Sequence, residues 1–303
     1  MQAACVRFLV CPVCGAAMQA AGAALRCAAG HAFDLAREGY ANLLVTRRRR
    51  SRMKGDTAAM VAARASFLAR GHYARLADEL AGLVARHLRA RGRAEPGCVV
   101  DVGCGTGYHL GRLRDRLLAD GVAPPCLFGT DVSKHAVRRA ARAVPEATFL
   151  VADTRTGIPL ATGSAVAVLD VFAPRDGAEL ARLLAPDGLL AVVTPGPAHL
   201  AGLADRLGLL GIQPEKQRAA AGGLAPWFRP RQASRLRYVL ELTGPEAAEL
   251  ARMGPSAWHL TPAALAAAER LDRLEVTADF QLATYAPAKE ARRRDAGRPA
   301  PRR

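Results

Sequence analysis

Four residues near the start of the chain, Cys11, Cys14, Cys27 and His31, have the types and the spacing to hold a metal ion. They read C-x2-C-x12-C-x3-H. A C-x2-C turn points two sulfurs at one ion, and a second knuckle brings the other pair from across a short loop. Three thiolates and one imidazole close a tetrahedral Zn2+ site with no position left for water, so the expected metal is structural. A segment with so little core needs such a staple. A redox pair would need a thioredoxin-like βαβ unit, which this stretch lacks. Cys5 is left over and is expected to be a free thiol.

A second constellation follows a short apolar run. "VVDVGCGTGYHLGRL" (99–113) places Gly103, Gly105 and Gly107, with Thr106 among them, between an expected strand and an expected helix. Glycine suits a turn where backbone must come close to a ligand. Asp131 and Asp153 end the next two apolar runs, the position that binds ribose hydroxyls in nucleotide-binding folds. Each could instead cap the turn that follows it. The dinucleotide fingerprint is G-x-G-x-x-G. This loop is D-x-G-x-G-x-G, which resembles the first motif of the S-adenosylmethionine-dependent methyltransferases.

The elements that position these groups alternate. Strands are expected at 98–103, 126–133, 147–153, 165–174 and 188–195, with helices between most of them. Such alternation means a parallel sheet covered on both faces, with ligands at the carboxyl ends of the strands. Before it, 55–93 has helical spacing broken at Gly71, and Asp56 or Thr57 suits its N-cap. After it, 234–243 and 274–287 read as strands around a helix at 245–253, able to close the sheet as an antiparallel edge. The expected division is a zinc-binding RNA-recognition module at 1–45, a basic linker and helix at 46–72, a Rossmann-like domain at 73–288 and a basic disordered tail at 289–303.

Composition narrows the partners. The 303 residues carry a net charge of +16. The run "RRRRSRMK" (47–54), with Arg47, Arg48, Arg49, Arg50, Arg52 and Lys54, contributes +6. The tail 289–303 contributes +5. Charge clustered in this way suggests a polyanion, RNA or DNA phosphate being the usual one, against the alternative of solvated linkers. No uncharged apolar run is long enough to span a membrane, and the N-terminus lacks the features of a signal peptide. Seven cysteines without an export signal fit a reducing cytoplasm better than a disulfide framework.

Metal clip, basic linker and cofactor loop in this order resemble the bacterial 23S rRNA (guanine-N1)-methyltransferases. The resemblance runs to about residue 287 and rests on "CPVCG…LRCAAGHAFDLAREGYANLL", "ARASFLARGHYARLAD", "VVDVGCGTGYH", "GTDVSKHAVRRAAR", "VFAPR", "VVTPGPAHLAGL" and "MGPSAWH". Within the family the chain looks most like the tylosin-resistance subgroup, which modifies a guanine in hairpin 35. The resemblance implies a class I methyltransferase fold with a mostly parallel seven-stranded sheet, and zinc on Cys11, Cys14, Cys27 and His31. It implies that Tyr73, the Gly105–Thr106 turn and His199 contact S-adenosylmethionine. It also implies a cytoplasmic homodimer with a basic cleft, no membrane partner and macrolide resistance. Read bare, Tyr73 is as easily a core aromatic, and His199 a cap of a helix at 199–210. N1 of guanine carries a proton that must leave, so a general base would help. Asp170, in "VLDVFAPRD", is the candidate, with pairing to Arg175 or exposure to solvent as the alternative. Phe172 could stack on the base. Two rivals remain at this point, a small-molecule methyltransferase and a non-catalytic zinc RNA-binding protein.

Overall fold

The computed structural model describes residues 1–45, 55–92, 97–203, 206, 223–254 and 260–288. The basic residues Arg47, Arg48, Arg49, Arg50, Arg52 and Lys54, and the tail 289–303, lie outside the described residues.

The N-terminal module begins with a 3-10 turn, Ala3–Phe8, followed by three short strands, β1 (Met18–Ala21), β2 (Ala24–Cys27) and β3 (Ala32–Asp34). They form an antiparallel sheet in the order β1-β2-β3. A fourth strand, β4 (Ala41–Asn42), leaves this module and pairs in parallel with β7 (Thr148–Val151) of the main sheet. The module also docks through main-chain bonds, Val10 N to Pro159 O at 3.1 Å and Ala161 N to Phe8 O at 2.9 Å.

The main sheet adds β5 (Cys98–Val102), β6 (Cys126–Asp131), β8 (Ala165–Val171), β9 (Leu184–Pro195), β10 (Phe228–Thr243) and β11 (Arg273–Pro287). Its order is β10-β11-β9-β8-β5-β6-β7-β4. The mostly parallel sheet read from the sequence is present, and Ala41–Asn42 lengthens it by an eighth strand. The two last strands pair antiparallel at the far edge, as their position after the alternating units suggested. Every residue of β5 and β8 is buried, the pattern of parallel strands covered on both faces. Burying each large aliphatic side chain there stabilises the fold by roughly 1.5–3 kcal/mol.

Helices α1 (Ala58–Ala69) and α2 (Ala74–Arg91) precede the sheet. Thr57 caps α1, accepting from the Met60 amide, and Gly71 at φ 83° separates the two helices. Helices α3 (Tyr108–Ala119), α4 (Lys134–Ala143) and α5 (Gly177–Leu183) follow β5, β6 and β8. Helices α6 (Gly244–Met253) and α7 (Pro262–Glu269) lie between the last two strands; the second was not anticipated.

One expectation is corrected. Cys5 is not a free thiol; it forms a disulfide with Cys126 at the start of β6, with Cα atoms 5.5 Å apart. The two are 121 residues apart in sequence, and only docking of the N-terminal turn on the sheet brings them together.

The strand order fixes where a ligand can sit. Strand β5 lies between β6 on one side and β8 on the other, so the chain reverses its direction of travel across the sheet there. Such a switch point opens a crevice at the carboxyl ends of the strands. The glycine loop leaves β5 at that point.

Candidate active site and metal centre

Cys11, Cys14, Cys27 and His31 converge, with their ligand atoms all within 4.8 Å of one another. Cys11 Sγ lies 3.6 Å from His31 Nδ1, Cys27 Sγ 3.4 Å from the same nitrogen and Cys14 Sγ 3.7 Å from Cys27 Sγ. A tetrahedron built on Zn–S and Zn–N bonds of ordinary length has edges of about 3.5–3.8 Å, so this donor set fits zinc. Each knuckle is closed by an amide, Gly15 N to Cys11 O at 2.8 Å and Gly30 N to Cys27 O at 3.0 Å. Burial opposes ionisation of the Cys27 thiol, but the His31 ring and the amides of His31 and Ala29 outweigh it and bring it to about 6. A thiolate is the form a metal needs.

At the carboxyl ends of β5 and β6, Gly103 and Gly105 have φ of 69° and 53°, a region that costs any residue with a Cβ. A Cβ on Gly103 would also stand 2.6 Å from Ala173 Cβ. The Gly105 amide donates to Asp131 Oδ2 at 3.0 Å, and the Ser133 amide to Asp131 Oδ1 at 2.8 Å. Asp131 therefore does act as a turn cap, and it also ties the glycine loop to the end of β6. Burial raises its pKa against the pull of those two amides. Each oxygen keeps a second lone pair for a ligand hydroxyl. Asp153, buried beyond β7, accepts the Arg155 amide at 3.0 Å and faces the Arg155 guanidinium at 3.3 Å. Thr106 is buried, and Gly107 at φ 76° is the N-cap of α3.

Sequence reasoning missed Arg64. Its guanidinium lies over Gly105, pairs with Asp56 and donates to the Met253 carbonyl at 2.6 Å. The Asp56 carbonyl in turn accepts from the Ser133 hydroxyl at 2.7 Å. The signal was a basic residue within "ARASFLARGHYARLAD", but nothing in its spacing pointed at the loop.

Asp170, at the end of β8, is fully buried and does not face solvent. Its Oδ1 accepts from Arg175 Nε at 3.1 Å, while Oδ2 has no partner among the described residues. Burial pushes its pKa up, Arg175 pulls it back, and the balance lies at about 6. Asp101 Oδ2, on neighbouring β5, is also buried without a partner among the described residues. Burial, then the Asp170 and Asp131 charges, hold the Asp101 pKa well above the usual carboxylate range. Unsatisfied buried carboxylate oxygens are costly, and a cationic ligand relieves that cost. This cluster, beside a glycine turn open to close backbone approach, fits the sulfonium and adenosine of S-adenosylmethionine.

An aromatic group lies beyond β8 and β9. Tyr73 is 3% exposed and packs edge-on to Phe67 and Phe280, with ring centres 5.2 and 5.0 Å away. His199 stacks on Phe172 at 6.0 Å and lies 4.9 Å from Phe280. Burial pushes the His199 pKa down to about 4, against the Asp279 charge. Its Nδ1 accepts the Asp279 amide at 3.3 Å, so the neutral ring carries its proton on Nε2. The Asp279 carboxylate is buried, accepts from Arg235 Nε and Nη2 at 2.7 Å each and accepts the Ala198 amide at 2.9 Å, which fixes the His199 turn. Phe172 is 41% exposed and sits at φ 56°, strained for a side chain of this size.

Comparison with known proteins agrees with this arrangement. Residues 9–52 match the zinc-ribbon family described as RlmA, N-terminal, and residues 99–188 the family described as Methyltransferase domain. The chain is 47% identical over 262 residues to the 23S rRNA (guanine(748)-N(1))-methyltransferase of Streptomyces fradiae, covering 86% of this chain and 89% of that one. It is 46% identical over 296 residues, 92% of this chain and 97% of the other, to a protein of Micromonospora griseorubida named as a 23S rRNA (guanine-N(1)-)-methyltransferase. A Bacillus subtilis protein of the same name is 30% identical over 280 residues, 90% of this chain and 94% of the other. The three-cysteine, one-histidine cluster, the class I S-adenosylmethionine-dependent methyltransferase fold and 46–47% identity over most of each chain make this protein a member of the 23S rRNA (guanine-N1)-methyltransferase family.

Proposed function

We propose that this protein transfers a methyl group from S-adenosylmethionine to N1 of a guanine in hairpin 35 of 23S rRNA, at the position equivalent to guanine 748. The observation that carries the reading is the 47% identity, across most of both chains, with the enzyme named for that guanine. The zinc-ribbon match and the positive charge favour it over a small-molecule methyltransferase. The intact glycine loop tied to Asp131 favours it over a non-catalytic RNA-binding protein.

The residues present would hold the cofactor in named places. Asp131 and Asp153 would take the ribose hydroxyls or order the loop that does, and Arg64 would take the methionine carboxylate. Tyr73, Thr106 and His199 would line the rest. When bound, the cofactor supplies a methyl group already activated by its positive sulfur. The chain's task is then to align the target nitrogen, exclude water and accept one proton. Asp170 is the base proposed to take the N1 proton, since its unpartnered Oδ2 and raised pKa suit that step. Phe172 offers an exposed ring for stacking on an extruded guanine, whose N1 lies on the Watson–Crick edge. The zinc module, with Arg47–Arg50, Arg52 and Lys54, would hold the hairpin by shape and phosphate.

The setting proposed is the cytoplasm, with the protein a homodimer and a macrolide resistance of the tylosin type as its outcome. No described helix is long and apolar enough to cross a membrane.

Primer extension on naked 23S rRNA tests the reading, because a methyl on N1 blocks Watson–Crick pairing. Protein and cofactor together are expected to produce a stop at the equivalent of guanine 748. No stop anywhere in 23S rRNA would overturn it.

A further inference from the structure

Helix α4 presents Lys134, His135, Arg138, Arg139 and Arg142, all exposed, and contains no acidic residue. His135, Arg138, Arg139 and Arg142 recur at helical spacing and share one face. With Ala58, Val61 and Ala62 of α1 they line a groove of about 350 Å³. Its floor is small and apolar and its wall is basic.

Several arginines are paired, as with Arg89 and Asp120, Arg112 and Asp78, or Arg114 and Glu146. Arg142 pairs with Glu38 at 2.6 Å, but Arg138 and Arg139 have no acidic partner among the described residues. Like charges four residues apart, such as Arg138 and Arg142, repel and cost helix stability. The helix bears that cost, and on this face only Arg142 has an acidic partner among the described residues.

The groove also has a direction. At the amino end of α4, the Ser133 amide bonds Asp131, the carboxylate that also holds Gly105 of the cofactor loop. At the carboxyl end, Arg142 reaches Glu38 of the metal-binding module. A helix of ten residues spans about 15 Å. The basic face thus runs from the metal module to the edge of the cofactor crevice.

We propose that the α1–α4 groove is a track for the RNA phosphate backbone, with Arg138 and Arg139 as its principal contacts and Lys134 and His135 beside the crevice. The proposal rests on the reading of this protein as an rRNA methyltransferase. Guanidinium groups match phosphate bidentately, and unpaired ones give up no internal ion pair on binding. The track would lead a strand held at the zinc module toward the site where its base is methylated. Contacts of this kind position the RNA without reading its sequence.

The test compares the double variant R138Q/R139Q with R273Q, which removes a charge from an exposed pair with Glu241 far from the groove. Binding of a hairpin 35 RNA is measured by fluorescence anisotropy across a salt series, and methylation of naked 23S rRNA is measured alongside. The double variant is expected to weaken hairpin binding about tenfold at moderate salt and to lower the slope of log affinity against log salt by about 1–2. KM for rRNA should rise with kcat unchanged, and S-adenosylmethionine affinity by calorimetry should match wild type, which reports that the variant is folded. An affinity and salt slope equal to those of R273Q would overturn the proposal. If wild type methylates no guanine in 23S rRNA, the functional reading fails, and the anisotropy series still decides the groove on its own.

Discussion

The Gly105 amide lies 3.0 Å from Asp131 Oδ2, and the other oxygen of that carboxylate holds the Ser133 amide at 2.8 Å. One side chain therefore sets both the cofactor loop after β5 and the start of α4 after β6. Replacing it by alanine should loosen the loop and remove a ribose partner together. D131A is expected to weaken S-adenosylmethionine binding on the order of 10–100-fold by calorimetry, the worth of hydrogen bonds to one charged group. Wild-type affinity in D131A would reduce Asp131 to a turn cap.

Asp170 is expected to be active when ionised. With its pKa near 6, kcat/KM should rise with pH through about 6 and then level off. D170N should lose that inflection and about 10²–10⁴-fold in kcat. Stability carries the opposite sign. The folded pKa lies above the ordinary 3.8, so the contribution is full below about pH 4 and is lost as pH rises through 6. Denaturant melts of D170N should show a smaller loss of stability between pH 4 and 7 than wild type.

Phe172 separates activity from stability. Its ring is exposed and its backbone strained at φ 56°. F172G relieves the strain and removes the stacking surface. The variant should melt no lower than wild type, while KM for rRNA rises by roughly 5–100-fold, the range of one base–aromatic stack. A fall in melting temperature with unchanged KM would make the ring a packing element.

One zinc ion per chain should be released by a thiol-reactive reagent and measured with a chromogenic chelator. C27S should retain none tightly and should lose hairpin RNA binding more than S-adenosylmethionine binding. The reason is that the ion folds the module, whereas the cofactor loop belongs to the main sheet. Equal losses of both ligands would mean that the module supports the whole fold.

The Cys5–Cys126 bridge should appear in a thiol count. Metal-free, denatured, non-reduced protein is expected to give five thiols, against seven after reduction. C5S should lower stability under oxidising conditions by about 2–4 kcal/mol, because the bridge closes a long loop in the unfolded chain. Seven thiols without reductant would remove the bridge.

Much of the arrangement was legible in the sequence because it is local. The C-x2-C and C-x3-H spacings set each zinc knuckle within a few residues. The glycines of the cofactor loop follow directly on an apolar strand, and Asp131 marks the end of the next one. Apolar runs alternating with helical patterns were enough for a mostly parallel sheet, since a strand buried on both faces must be apolar throughout.

What needed the tertiary structure is what depends on partners far apart in the chain. Cys5 reads as a spare thiol until the module docks and brings it to Cys126. Arg64 reads as one more arginine until α1 lays it over Gly105. Asp279 carries no signal of its own in the sequence, yet it is buried, clamps Arg235 and fixes the turn that carries His199. The burial that lifts the Asp170 pKa comes from neighbouring strands of the sheet, and no spacing in "VLDVFAPRD" encodes it. Sequence alone determined which chemistries this chain could hold, because ligand type and turn geometry are local properties. Only the folded sheet decided which charges are desolvated and which are paired, because those depend on everything packed around them.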